Sequence, residues 1–298
     1  MLDLLIDTDA GIDDLLAISF LSTQSSVNIV AITVVNGLAH VDAGAANILR
    51  LLELTNRPEI PVYAGAVKPL PGGTDFPNEW RKTADKLPTV KLPPTSNKPK
   101  ADAVAFLSRR FSSTSPATLL ALGPQTNLAE ALASNQGSVS GINQMVMMGG
   151  AVFVEGNVGG DKKAEWNIFE DPKAASVVFK SGMRIAMAPL DATQHVPIDE
   201  SFLKAAAKFT SPLGRVVHQL LSLGYRTNDK NYFAWDPLAA VSIVAPSVLR
   251  SESLGIEIVT TPPEVGRTKS DPANPNKVAV ATWASAGIFR DTFLGAFS

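Results

Sequence analysis

The sequence predicts an α/β fold. It reads as one open, Rossmann-like domain over residues 1–298, with a mostly parallel central sheet flanked by helices and a site at the carboxyl ends of the strands. Three observations predict it. Short apolar runs rich in Val, Ile and Leu alternate with segments of helical periodicity, the pattern of repeated βαβ units. Polar clusters at residues 7–14, 36, 126 and from 149 onward each follow a strand-like run, the position where open parallel sheets bind ligands. Neither a composition break nor an internal repeat divides the chain.

The elements follow in order. Residues 2–6 (LDLLI) read as a buried strand, and residues 13–21 as a helix entered through a tight turn at Gly11. VNIVAITVV at 27–35 is a second strand, followed by helical periodicity over 41–54 and a short strand at 61–64. Residues 101–111 read as helix, 117–122 and 144–148 as strands, with a helix from residue 127 between those two. Two stretches break the alternation. Residues 69–100 are rich in Pro, Gly, Lys and Thr and too long for an ordinary connection, which suits a surface loop serving as a lid. Residues 261–276, also Pro-rich, join IEIV to KVAVATW as a long hairpin connection.

Composition narrows the function classes. Hydrophobic residues make up 45% and charged residues 18% of the 298, a balance that suits a buried core rather than a disordered chain. A net charge of −2 gives no bulk electrostatic case for nucleic acid or an anionic membrane. With no cysteine, disulfides, thiolate catalysis and Cys-ligated zinc are excluded. No apolar run approaches the ~20 residues that span a bilayer, and the start of the chain has no basic and apolar leader pattern, so the expected location is cytoplasmic.

The chemistry concentrates in DTDAGIDD at residues 7–14, where Asp7, Asp9, Asp13 and Asp14 fall within eight positions behind an apolar run. One Asp there would cap the following helix, which leaves the others unexplained. A hard divalent cation, Ca²⁺ or Mg²⁺, takes oxygen ligands and would neutralise such a cluster. Asp-x-Asp after the first strand also fits a phosphatase of the haloacid dehalogenase type, with Asp7 as nucleophile. The segment alone leaves both open, although the added Asp13–Asp14 pair and the lack of a basic phosphate cradle favour the former.

DTDAGIDD closely resembles the N-terminal signature of the nucleoside hydrolases, the inosine-uridine-preferring N-ribohydrolase family. Further segments resemble that family in its own order: PVYAGAVKPL (61–70), ALGPQTNLAEAL (121–132), MMGGAVFVEGNVGGDKKAEWNIFEDPKAA (147–175), PLDAT (189–193) and WDPLAAV (235–241). The resemblance implies a Ca²⁺-dependent hydrolase that cleaves the N-glycosidic bond of a ribonucleoside to free base and ribose. It further implies a homo-oligomer, dimer or tetramer, and a role in purine salvage. By position, Asp9, Asp14, Asp236 and the main-chain carbonyl of Thr126 would ligate Ca²⁺, with Asp7 close by. Asp13, Asn157, Glu165 and Asn167 match the ribose-holding residues, with Asn36 in the same shell. Asp9 would be the general base on a water held by the metal. A carboxylate-rich pocket also suits an oxocarbenium-like transition state.

Base choice rests on aromatics. The inosine-uridine branch carries a His immediately before the last Asp ligand; here that position is Trp235. A Trp-Asp pair resembles the purine-specific, inosine-adenosine-guanosine branch, in which two indoles sandwich the purine and ease its protonation at N7. Trp235 is therefore the expected leaving-group residue, with Trp80, in the 69–100 segment, as second stacking partner and Trp166, where the family usually has Phe, as a third aromatic. Asn36 stands where that branch more often carries Asp, which leaves a broad or pyrimidine-preferring hydrolase as the alternative. His40 and His195 match no family catalytic His, and His218 in VVHQLL reads as structural. Tyr225, Arg226 and Tyr232 are expected to form a second flexible segment near the base. Outside the class, a non-catalytic nucleoside- or ribose-binding protein on the same scaffold would bind without releasing base.

Overall fold

A computed structural model describes residues 1–55 and 57–298. The chain opens on β1 (Leu2–Thr8), whose side chains alternate between two apolar clusters: Leu4 and Ile6 pack on one face of the sheet and Leu5 on the other. Parallel neighbours lie on both sides, β2 (Val27–Val34) and β4 (Ala117–Ala121), and both are fully or largely buried. Beyond β2 lies the short β3 (Val62–Ala64); beyond β4 come β5 (Ile142–Met148), β6 (Ile185–Ala188) and β9 (Lys277–Ala284), all parallel. β7 (Leu249–Ile258) runs antiparallel to β9 and carries β8 (Thr268–Ser270) at the edge, which closes a nine-stranded sheet of order β3-β2-β1-β4-β5-β6-β9-β7-β8. The chain builds outward from β1 in one direction and resumes at β4 in the other. The strand order therefore reverses between β1 and β4, and a crevice opens there at the carboxyl ends.

Helices cover both faces. One layer holds α1 (Ile12–Ser22), α2 (Val41–Leu52), α3 (Asn78–Lys86) and, from the second half, α9 (Glu200–Ala206), α10 (Pro212–Thr227), α11 (Trp235–Val244) and α12 (Ala286–Gly295). The other holds α4 (Ala103–Phe111), α5 (Thr126–Ser134) and α7 (Pro172–Phe179), while the short α6 (Trp166–Glu170) and α8 (Leu190–Thr193) follow β5 and β6. α1 (IDDLLAISFLS) and α11 (WDPLAAVSIV) are apolar nearly all round, which suits helices enclosed by other helices and sheet. They pack against each other, and their first turns bring Asp13, Asp14 and Asp236 to the crevice.

The alternating reading of residues 1–148 matches these elements to within a few residues. Residues 69–100 are not purely irregular, since α3 lies in their middle, and the 261–276 connection contains β8. Tyr225 and Arg226 sit within the regular α10 rather than in a flexible segment. Among the described residues no helix is long and apolar enough to cross a membrane.

Candidate active site

The turn between β1 and α1 shapes the floor of the crevice. Ala10 adopts a positive φ of 57°, a left-handed position that reverses the chain immediately after Asp9. Gly11 then caps α1, and its N–H donates to Asp14 Oδ2 at 2.9 Å while the Thr8 hydroxyl donates to Asp14 Oδ1. Oxygens of Asp13, Asp14 and Asp236 come within 4.8 Å of one another. Asp9 stands beside them, its Oδ2 accepting from the Leu38 N–H at 2.7 Å. Two glycines wall it in. A Cβ on Gly37 would lie 2.2 Å from Asp9 Oδ2, and one on Gly123 would lie 2.8 Å from Asp9 Cβ.

Burial pushes the Asp9 and Asp236 carboxyls well above the ordinary range, and the neighbouring Asp14 charge adds to this; Asp13 is raised to about 7 for the same two reasons. Among the described residues no Lys or Arg pairs with any of these carboxylates. The N-termini of α1 and α11 both face the cluster, but each supplies only about half a positive charge. A donor set made entirely of carboxylate oxygens, packed this closely without counter-charge, fits a hard divalent cation such as Ca²⁺.

These carboxylates form one end of a cavity of about 300 Å³. Glu165, Asn167 and Asn157 line its side. Glu165 is the N-cap of α6, held by N–H donors of Asn167 (3.0 Å), Ile168 (3.3 Å) and Gly150 (2.9 Å), and burial still raises its carboxyl above the usual value. Asn167 donates through Nδ2 to the Leu122 carbonyl at 2.8 Å, which fixes its amide. The Asn157 side chain accepts from the Trp166 N–H at 3.2 Å. Aromatic side chains make up much of the remaining lining. Phe76 stacks on Trp166 at 5.0 Å between centroids, and Trp80 meets Trp166 edge-on at 5.3 Å. Trp235 lines the cavity too, packed edge-on against Tyr232 at 5.4 Å. Thr227, Asn228 and Asn231, at and beyond the end of α10, complete the rim.

The cavity thus brings together Asp9, Asp13, Asp14, Asp236, Asn157, Glu165, Trp166, Asn167, Trp80 and Trp235. Asp7, Asn36 and Thr126 do not line it. Asp7 is buried below, where its Oδ1 accepts from the Thr33 hydroxyl (2.6 Å) and Asn127 Nδ2 (2.8 Å), and burial raises its carboxyl to about 7. The Asn36 amide turns to Arg81, Asp75 and Glu170 instead of the crevice. Thr126 opens α5, so its carbonyl runs along the helix axis, and its hydroxyl donates to Asp171 Oδ2 at 2.7 Å. Leu122, just past β4, stands in the wall in its place. Sequence reasoning missed Leu122, whose place in the wall leaves no signal beyond its position directly after a strand. Phe76, two residues before α3, was also missed, whereas Tyr232 was marked by proximity to WDP and does line the cavity. His40 pairs with Asp85 at 2.7 Å, and His195 lies 6.2 Å from the Trp283 ring; neither lines the cavity.

Similarity to known proteins agrees with this geometry. The chain is 32% identical to "Uridine nucleosidase 1" of Arabidopsis thaliana over 287 residues, covering 91% of this chain and 84% of the relative. It is 35% identical to the pyrimidine-specific ribonucleoside hydrolase RihA of Klebsiella pneumoniae over 241 residues, 80% of this chain and 76% of the relative. Its fold superposes on the purine-preferring ribonucleoside hydrolase from Gardnerella vaginalis with a TM-score of 0.89 at 26% identity, covering 99% and 98% of the two chains. The model of the inosine-uridine preferring nucleoside hydrolases matches residues 4–291, and the chain belongs to that family.

Proposed function

We propose that this protein hydrolyses the N-glycosidic bond of purine ribonucleosides, releasing base and ribose, with Ca²⁺ as its metal. The observation that carries the reading is the division of one cavity into a carboxylate floor and an aromatic wall. Asp14 and Asp236 would hold the ion, with Asp9 and Asp13 beside them and the Leu122 carbonyl as the main-chain donor in place of Thr126. Bound there, Ca²⁺ would offset the crowded charge, keep the carboxylates ionised and acidify a coordinated water.

The remaining steps belong to the chain's own residues. Asp13, Asn157, Glu165 and Asn167 would grip the ribose hydroxyls, with Glu165 and Asn167 already fixed by their own hydrogen bonds before substrate arrives. Asp9, immobile between two glycines, would accept the proton of the attacking water. As the bond to the base lengthens, positive charge grows at C1′ and the ring oxygen, and the surrounding carboxylates stabilise it. Trp235, Trp80 and Trp166 would stack on the departing base. A two-ring purine offers them more face than a pyrimidine does, and stacked indoles would make its N7 easier to protonate.

A pyrimidine-directed reading stands second, favoured by the names of the Arabidopsis and Klebsiella relatives. Measuring kcat/KM for inosine, guanosine, adenosine, uridine and cytidine separates the two. Purines are expected to lead, and fast uridine with negligible inosine would overturn the purine reading. Absence of free base from every nucleoside would remove the hydrolase reading and leave a binding protein.

A further inference from the structure

The wall of the cavity has a foundation outside it. Arg81 follows Trp80 on α3, yet its side chain turns the other way, beneath the helix, and the residue is only 7% exposed while Trp80 is 47% exposed. Its guanidinium donates through one terminal nitrogen to Asn36 Oδ1 at 2.6 Å and through the other to Asp75 Oδ1 at 3.0 Å. Asn36 closes the circuit by donating through Nδ2 to Asp75 (3.0 Å) and to Glu170 Oε1 (2.9 Å). One cluster, buried at Asn36, Arg81 and Glu170 and open to solvent at Asp75, thus joins the loop before α3, the first residues past β2 and the end of α6. The Glu170 carbonyl binds the same loop, accepting from the Thr74 N–H at 2.8 Å. Burial raises the Glu170 carboxyl to about 9, and Arg81 pairs with the Asp75 carboxylate at 3.0 Å.

We infer that Arg81 is a positioning residue for the nucleobase: by locking α3 onto Asn36 and Asp75 it holds Trp80 and Phe76 against Trp166 as a preformed stacking wall. The inference rests on the reading of the cavity as a nucleoside site. Trp80 by itself sits on a short, polar, largely solvent-facing helix (NEWRKTADK), which has little apolar surface to hold it in place. A bidentate guanidinium with a desolvated amide partner supplies that hold with directional precision. Asn36 was expected to touch ribose; its amide is committed to the lock instead, so its contribution to base binding is indirect.

The test is a double-mutant cycle between Arg81→Met and Trp80→Ala, read on KM and kcat for inosine and on competitive inhibition by ribose. Ribose reports the carboxylate half alone. Arg81→Met is expected to raise the inosine KM about tenfold, equivalent to about 1.4 kcal/mol, while kcat and the ribose inhibition constant stay within about twofold. In the Trp80→Ala background the same change should have almost no further effect on KM. Additive losses, or equal losses for inosine and ribose, would overturn the inference. If Arg81→Met fails to fold, Asp75→Asn makes the same test at an accessible partner with a smaller rise in KM expected; no rise there, with inosine turnover intact, overturns it equally. Failure of the parent protein to hydrolyse any nucleoside would instead remove the underlying functional reading.

Discussion

The two halves of the cavity are built from different kinds of chain. The carboxylate half stands at the end of an interior strand and on two helices buried nearly all round, so Asp9, Asp14 and Asp236 are each no more than 3% exposed. The aromatic half stands mostly on peripheral pieces: Trp80 on a nine-residue polar helix, Phe76 in the loop before it, Tyr232 in the turn beyond α10 and Trp166 at the start of the short α6, while Trp235 shares buried α11 with Asp236. A core-mounted floor fixes the reaction, because moving any part of it disturbs the sheet. Under the proposed function, a largely rim-mounted wall would decide what is accepted, since most of its pieces can change without touching that sheet.

The comparison makes graded demands on experiment. Removing divalent cation with a chelator should cost on the order of 10³-fold or more in turnover for every nucleoside alike, with recovery on adding Ca²⁺. Full activity in exhaustively chelated protein would show that the floor works without metal. Asp9→Ala should lower kcat by roughly 10²- to 10⁴-fold, the range for a lost general base, while nucleoside still binds through the ribose contacts. Unimpaired turnover would refute the assignment. At the wall the losses should depend on the base. Trp235→Ala is expected to reduce inosine turnover by about 10- to 100-fold, yet p-nitrophenyl riboside, whose leaving group needs no help, by only a few-fold. Equal losses on the two substrates would place Trp235 outside leaving-group activation.

The smallest effect concerns stability beneath the wall. Burial lifts Glu170 from 4.5 to about 9, so the fold favours its neutral form. That contribution is complete below about pH 4.5 and drains away as pH climbs through 9. Glu170→Gln keeps the acceptor for Asn36 and has no proton to lose. Its melting temperature should match the parent near pH 4 and exceed it increasingly as pH rises toward 9, by roughly 2–4 °C per kcal/mol for a chain of this size. Parallel pH profiles for the two proteins would mean Glu170 ionises freely.

The same division governs what the sequence reveals. The floor was legible because its parts are local or strongly patterned: DTDAGIDD follows an apolar run, and WDPLAAV opens an apolar helix. The parallel sheet was legible for the same reason, from residues 2 to 148. What escaped depends on direction rather than on residue type. Asp7 and Asp9 are both Asp near the end of β1, but Asp7 lies within the strand and faces Thr33 and Asn127, whereas Asp9 lies past the strand's end, where the chain turns into the crevice. Thr126 has the right neighbourhood, yet the helix it begins turns its carbonyl away, and Leu122 takes the wall. Asn36 follows its strand as expected, but a guanidinium 45 positions later claims its amide. Such long-range pairings leave no trace in periodicity.

The glycines flanking Asp9 carry an evolutionary consequence. With Gly37 and Gly123 pressed against its stem, the side chain has one orientation available, and a single added methylene would have nowhere to go. Glutamate is therefore no conservative replacement at this position: it has the same acid group but cannot occupy the slot without shifting the ends of β2 and β4. Gly37, Gly123 and Asp9 form a set in which a side chain added at either glycine collides with the acid, so none of the three can vary without the others.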